Sequence, residues 1–448
     1  MRELQPIFER HESNVRSYCR KFDAVFVRAA GSELVDQHGR RYIDFLAGCG
    51  ALNYGHNDPE MAEALIAHIR TGGIALSLDL YSPAKQAFIE AFVTRILQPR
   101  RLAHRLQFTG PTGANAIEAA LKLARMRTGR HNVIAFSNAY HGLSMGALAL
   151  TGSRHHRMDL AHAGVTRLPY DGYAGAAVDT AALLEQMLDD PSSGIDPPAA
   201  IVLELIQGEG GLNVASPEWL QRVFAAAQRH GALIIVDDIQ AGCGRSGRFF
   251  SFDGLPLVPD LVVLSKSLSG FGLPFSLLLV APEHDCWRPG QHTGTFRGNN
   301  HAMCTGAVAL HKFWADDALS HQAVLRGQRI DDALRRMAAQ VPGARVKGRG
   351  MFLGLDLRDG ALAGAVSAQA FAQGLLIETA GAHDEVLKVM APLTTPDALL
   401  QEGLDMLSHA LRAALDTHCA ASSSAATGAS PSAARPTALP DALTHDSL

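Results

Sequence analysis

The chain has 448 residues, 47% of them hydrophobic and 19% charged, and 40 Lys+Arg against 44 Asp+Glu leave a formal charge of -4. That length excludes a small module and suits one large α/β domain with a smaller companion, and the apolar share can bury a sizeable core. The charge balance offers no basic excess to attract nucleic acid.

Residues 1–60 open with a charged stretch and then carry hairpin-like pieces, with turns at Ala30-Gly31 and Gln37-His38-Gly39, expected to pack on the small domain. From 61 to 310, apolar runs of strand length alternate with amphipathic helical stretches, which predicts a parallel sheet covered by helices. The predicted strands are Asn132 to Phe136, Ala199 to Ile206, Ala232 to Asp237, Leu261 to Ser265 and Phe275 to Val280. The predicted helices are Asn115 to Arg127 and Pro217 to His230, the second starting with Ser216 as N-cap and Pro217 in its first turn. Right-handed crossovers would join them into one doubly wound sheet.

Residues 311–419 read as a smaller α+β domain. Helices are predicted at His301 to Asp316, across the boundary, at His321 to Gln340 and at Pro396 to His418, with short strands near Met351 to Leu357 and Glu385 to Met390. Residues 420–448, rich in Ala, Ser and Pro without periodicity, are expected to form a disordered tail. The six Cys lie scattered without CxxC pairing and read as cytosolic thiols. The longest apolar run, LPFSLLLVAP, is far short of a bilayer span, and neither signal peptide nor membrane anchor is found, so a cytoplasmic location is expected.

Three patterns mimic chemistry. GCGRSG at 242–247 matches GxGxxG and follows a strand, but a dinucleotide loop must open a helix, whereas FFSFDGLPLVPD is loop-like. A glycine-rich turn is the better reading. GLSMG at 142–146 has the GxSxG form with Ser144 as nucleophile, yet SNAYH separates it from the strand that an elbow needs. His155, His156 and His162 lack metal-ligand spacing and read as a solvated loop.

A stronger signal lies at two successive strand ends. IIVDDIQ puts Asp237 and Asp238 where one strand runs out, and LVVLSKSLSG puts Lys266 at the end of the next. Ligands of open α/β sheets bind outside the carboxyl ends of the strands, so an acid and an amine meet in one crevice. Of the chain's lysines only Lys266 follows a buried strand, and desolvation makes an amine nucleophilic toward carbonyls. Taken alone, the pair also reads as a structural ion pair. FTGPTGANAIEAALKLAR, a Gly/Thr turn running into a helix, offers free N–H groups to a phosphate, or else is only a well-capped helix start. Together the three describe a pyridoxal phosphate site: a lysine for the aldehyde, an acid for the pyridine nitrogen and a cradle for the phosphate.

The ordered motifs TGPTGANAIEAALKLAR, NAYHG, ELIQGEGG, VDDIQAGCGRSG, LSKSLSG and GTFRGNN resemble the class III aminotransferases, of fold type I among pyridoxal phosphate enzymes, over Phe26 to Leu393. The resemblance implies a mainly parallel seven-stranded sheet between helices in the large domain. It implies that Lys266 condenses with the cofactor aldehyde and shuttles the proton between Cα and C4′, and that Asp237 binds the ring nitrogen. Ile239 and Tyr140 would sandwich the ring, and Gln240 would reach its phenolic oxygen. Gly113 and Ala114 would give N–H groups to the phosphate, helped by Thr112 and by Thr295 of a neighbouring subunit. A homodimer with shared active sites, often assembled further as to a tetramer, follows from the same likeness.

Two departures stand out. Ala114 has no hydroxyl where many relatives carry Ser or Thr. Lys388 in LKVMAPL replaces the Arg that in ornithine-type relatives pairs with the last Glu of EGG, here Glu209, and opens to admit an α-carboxylate. A Glu209–Lys388 switch would be less specific, because ammonium lacks the bidentate fork. Arg297, where most relatives have glycine after TF, is a candidate substrate-carboxylate contact or a structural interface residue.

Within the family, GALNYGHN, FTGPTGANA, DDIQAGCGRSG, LSGFGLP and GTFRGNN look most like diaminobutyrate–2-oxoglutarate aminotransferases, which feed ectoine, siderophore or peptide synthesis. The implied reaction moves the amine of L-glutamate to the terminal carbon of L-aspartate 4-semialdehyde in two half-reactions. The rival readings are the same chemistry on acetylornithine, ornithine, 4-aminobutyrate or a natural-product aldehyde, a serine hydrolase using Ser144, and a non-catalytic dimeric relative.

Overall fold

The computed structural model of the chain describes residues 5–158 and 164–427. Its centre is a sheet of seven strands: β1 (Arg105–Gly110), β2 (Val133–Phe136), β3 (Val165–Leu168), β4 (Ala200–Leu203), β5 (Leu233–Asp237), β6 (Leu261–Leu264) and β7 (Ser276–Val280). Their spatial order is β1-β7-β6-β5-β4-β2-β3. Neighbours pair in parallel except at β7, which runs antiparallel to both β6 and β1.

Helices cover both faces, so the inner strands are buried throughout and carry unbroken apolar runs rather than alternation. Successive residues still serve opposite faces: Ile234 and Val236 join one core, Leu233 and Ile235 the other. Helix α1 (Gly113–Thr128) follows β1 and packs its buried Ile117, Leu121 and Leu123 in the second core. Helix α2 (Pro217–His230) precedes β5, and the Ser216 hydroxyl accepts from the Trp219 amide, as expected of that N-cap.

Sequence reading finds the five buried strands and misses the two edges. Arg105–Gly110 and Val165–Leu168 each have one sheet neighbour and partly exposed residues, so neither shows a long apolar run. The predicted run Ala199 to Ile206 divides: β4 stops at Leu203, and Ile206–Gln207 pairs instead with Asn213–Val214.

The C-terminal part carries a sheet of Arg345–Arg349, Phe352–Asp356, Val386–Val389 and Glu378–Ala380, backed by helices Ala318–Ala338, Gly360–Gln373 and Asp397–Thr427. Gly360–Gln373 escapes sequence reading because its alanine-rich, largely apolar surface shows no contrasting polar face. N-terminal strands Phe26–Ala30, Glu33–Asp36 and Arg41–Asp44 form an antiparallel meander that Leu375–Leu376 extends beside Ile43 and Asp44. The tail boundary expected at 420 falls inside the last helix, which runs on to Thr427. ALDTHCAASSSAAT contains no Gly or Pro to stop it, and alanine is the cheapest residue to keep helical. The rest of the expected tail, 428–448, lies outside the described residues, as does His162. Among the described residues no helix is long and apolar enough to cross a membrane.

Candidate active site

The carboxyl ends of β5 and β6 and the start of α1 open on one cleft of about 660 Å³. Asp237 is the last residue of β5 and pairs in register with Val263 of β6, whose chain runs on through Leu264 and Ser265 to Lys266. Lys266 sits at φ 53°, in the left-handed region, and its Nζ donates to the Cys49 carbonyl at 2.9 Å. Its neighbours pin that unusual backbone: Ser265 Oγ donates to Phe275 O (2.8 Å) and Ser267 Oγ to Gly50 O (2.7 Å). The Cys49 carbonyl is itself aimed by a left-handed turn, with Ala47, Gly48, Cys49 and Gly50 all at positive φ. Such conformations cost about 1 kcal/mol or more per non-glycine residue, and persist where surrounding contacts fix them.

Across the cleft, β1 ends in the Gly110–Thr112 turn and α1 begins. Thr112 and Asn115 form a capping box, with Thr112 Oγ donating to Asn115 Oδ1 at 2.8 Å. The first-turn amides of Gly113 and Ala114, which have no helical carbonyl to serve, line the cleft. Space there is tight: a Cβ on Gly113 would lie 2.5 Å from Ile239 Cδ1, and one on Gly142 2.8 Å from Ala114 Cβ.

Asp237 is buried with two partners. Its Oδ1 accepts from the Ile239 amide at 3.1 Å, and its Oδ2 lies 2.7 Å from His141 Nδ1. Burial alone would lower the His141 imidazole, but the hydrogen bond and charge of Asp237, with Glu204 nearby, raise it. Glu204 accepts from the Tyr140 and Gly208 amides and is pushed up chiefly by burial and by Asp237, with His141 opposing.

A second network begins at Gln240, whose Nε2 donates to Cys49 O (3.0 Å) and Glu209 Oε1 (3.1 Å). Glu209 meets Lys388 Nζ at 2.8 Å, and Lys388 also meets Glu378 at 3.0 Å. Burial would raise the Glu209 carboxyl, yet Lys388 and Lys266 hold it well below its usual range. The Tyr18 hydroxyl contacts Glu378 Oε2 (3.1 Å) and Cys49 Sγ (2.8 Å); burial, then the Glu378 charge, pushes the Cys49 thiol up to about 11.

The cleft thus gathers Thr112, Gly113, Ala114, Tyr140, Glu209, Asp237, Ile239, Gln240 and Lys266, with Lys388 buried behind Glu209. It does not gather Thr295 or Arg297 of the same chain. Thr295 is exposed on the turn Thr295–Gly298, and Arg297 binds Asp79 Oδ2 (2.6 Å) and the His292 carbonyl (2.6 Å). Sequence reading missed His141, although it lies in the quoted NAYHG, and also Glu204, Cys49, Tyr18 and Glu378. Their roles depend on neighbours remote in sequence, such as the 96 positions between His141 and Asp237.

The decoys resolve structurally. In GCGRSG, the wholly buried Arg245 donates to Asn53 Oδ1 and to the Met351 and Ala391 carbonyls, tying the sheet to the C-terminal part. Ser144 Oγ donates to Glu118 Oε1 at 2.6 Å rather than to an imidazole. Ser144→Ala is therefore expected to keep turnover within about fivefold of the parent, a loss of about 1 kcal/mol or less in steady-state assays. His155 and His156 lie on the short helix Arg154–Arg157, and His156 meets the Tyr140 ring edge-on at 5.7 Å.

Asp238, next to Asp237, points away from this chemistry. It is wholly buried, its Oδ2 accepts from the Ser251 amide, and Oδ1 has no partner. Burial, with the Asp253 and Asp237 charges adding and Ser251 opposing, pushes it up to about 7. The folded chain then holds this proton more tightly than the unfolded one, so the stabilisation is complete below pH ~3.9 and is lost as pH rises through the folded value. Asp238→Asn is expected to remove that decline and to stabilise the fold at pH 8 by about 4 kcal/mol, read from denaturant melts at pH 5 and 8.

Comparison with known proteins fits this geometry. Residues 16–411 match the family model "Aminotransferase class-III". The chain is a class III aminotransferase. This aminotransferase is 53% identical over 409 residues to the diaminobutyrate–2-oxoglutarate transaminase of Vibrio cholerae, covering 90% of this chain and 99% of that one. It is 54% identical to an uncharacterized aminotransferase of Sinorhizobium fredii, over 91% of this chain and 92% of the other. The crystal structure of the ornithine aminotransferase from Toxoplasma gondii ME49 superposes with a TM-score of 0.79 at 26% identity, covering 92% of this chain and 95% of that one. The aminotransferase accordingly has the fold type I architecture and uses pyridoxal phosphate.

Proposed function

We propose that the aminotransferase moves the amino group of L-glutamate to the terminal aldehyde of L-aspartate 4-semialdehyde, giving L-2,4-diaminobutyrate and 2-oxoglutarate. The observation that carries the chemistry is that Lys266 and Asp237, at neighbouring strand ends, face the first turn of α1 across a single cleft. The relatives named as diaminobutyrate transaminases support the substrate.

The residues present fit the cofactor. Gly113 and Ala114 N–H groups would hold its phosphate, Tyr140 and Ile239 would flank the ring, Gln240 would meet its phenolic oxygen and Asp237 its nitrogen. Ala114 adds no hydroxyl, and Thr112 Oγ is committed to Asn115, so backbone amides carry more of that grip. The exposed Thr295 suits a phosphate contact made to a second subunit, within a homodimer. When bound, pyridoxal phosphate supplies an aldehyde for the amine and an electron-poor ring that draws charge from the amine-bearing carbon.

The chain's residues do the rest. Lys266 Nζ takes the proton from that carbon and returns one on the other side of the exchange, as a general base and acid. Asp237, fixed by its 2.7 Å contact with His141 Nδ1, would hold a proton on the ring nitrogen. Tyr140 and Ile239 exclude water from the ring faces. Glu209 is closed on Lys388 at 2.8 Å, the arrangement suited to a reacting carbon without a carboxylate, and would swing aside for the α-carboxylate of glutamate. A cytoplasmic setting suits the free thiols of Cys19, Cys49, Cys243, Cys286 and Cys304.

The test is a visible spectrum of the purified protein, followed by addition of L-glutamate or L-2,4-diaminobutyrate separately. A yellow band bleached by both amino acids is the expected result. Bleaching by glutamate alone would discard the proposed product, and no band after adding pyridoxal phosphate would overturn the cofactor assignment.

A further inference from the structure

Lys388 does not stand in a simple pair. Glu378 and Lys388 face each other across antiparallel strands, in direct register, and their side chains meet at 3.0 Å. The Glu378 side chain is 4% exposed and Lys388 0%, while Glu209, the member that lines the cleft, is 33% exposed. Tyr18 Oη at 3.1 Å holds the other Glu378 oxygen in place. Two carboxylates thus share one buried ammonium.

The consequence appears when Glu209 swings aside. A cation with a single carboxylate partner would then present an unbalanced positive charge to an incoming α-carboxylate. Lys388 instead remains neutralised by Glu378, so opening exposes a salt bridge rather than a cation. We infer that Glu378 is a specificity-determining residue of this aminotransferase, which keeps Lys388 from gripping an α-carboxylate and so favours substrates whose reacting carbon carries none. Glutamate is then held loosely as donor, and the terminal amine of diaminobutyrate is accepted with Glu209 closed. This deepens the proposed function and rests on it.

Calorimetric binding of 2-methyl-L-glutamate to the cofactor-loaded protein tests the inference, with the half-saturating concentration of L-2,4-diaminobutyrate, read from the rate at which it bleaches the visible band, as the comparison. The first carries an α-carboxylate but no α-hydrogen to lose, so it binds without turnover. Glu378→Gln leaves Glu209 and Lys388 balanced when closed and frees one positive charge when open. It is expected to tighten 2-methyl-L-glutamate about tenfold, the effect of one like charge removed at close range, while diaminobutyrate stays within about twofold. Glu378→Asp, which keeps the charge, should hold the parent ratio. Should Glu378→Gln not fold, Glu378→Ala carries the same expectation. An unchanged ratio, or equal tightening of both probes, would overturn the inference while leaving the proposed function standing. Absence of the visible band in the parent protein would instead overturn the proposed function itself.

Discussion

Lys266→Ala is expected to lower turnover by at least about a thousandfold, because one substitution removes both the amine that condenses with the aldehyde and the group that moves the proton. The structure sharpens the prediction. Nζ is held by the Cys49 carbonyl, and the backbone at Lys266 lies in the left-handed region, pinned by Ser265 and Ser267. The fold should therefore survive the loss of the side chain. A thermal melt within a few degrees of the parent, together with loss of the normal absorption band on adding pyridoxal phosphate, is the expected combination. Retained turnover in Lys266→Ala, with Ser144→Ala dead, would favour the hydrolase reading.

Asp237→Asn should lower turnover by about a hundredfold to ten-thousandfold, the range expected when a fixed charge opposite developing charge is lost. Its carboxylate lies 2.7 Å from His141 Nδ1, in a site where both are buried. Asparagine keeps the shape and the bond from the Ile239 amide but cannot hold a proton on the ring nitrogen. The change also strips the partner that raises His141. That histidine stabilises the fold fully below its ordinary value of about pH 6.5 and loses the contribution as pH rises through the raised folded value. Asp237→Asn should flatten this part of the pH dependence of stability as well as slowing turnover. Cofactor binding without a rate loss would sink the role assigned to Asp237.

Legibility followed burial and continuity. The inner strands were readable because helices cover both faces, which demands unbroken runs such as LIIVD and LVVL. The edge strands β1 and β3 were not, because half-exposed edges tolerate polar residues such as Arg105, Gln107 and Arg167. The same division runs through the site. Asp237 and Lys266 could be found because each ends a recognisable strand, and Gly113 and Ala114 because they start a recognisable helix. His141, Glu378 and Tyr18 could not, because each acquires its meaning from a contact that spans much of the chain.

What the sequence by itself determined is the local chemistry: which strand ends carry an acid and an amine, which turn can cradle a phosphate, and the order of motifs that marks the family. Such features depend on periodicity, capping and residue type, all of which act over a few neighbouring positions. Only the tertiary structure decided the electrostatic partners. It set His141 against Asp237, a second carboxylate on Lys388, and the Cys49 carbonyl against Lys266. The physical reason is that charge interacts through space, and in a buried site the nearest partner is chosen by packing rather than by position along the chain.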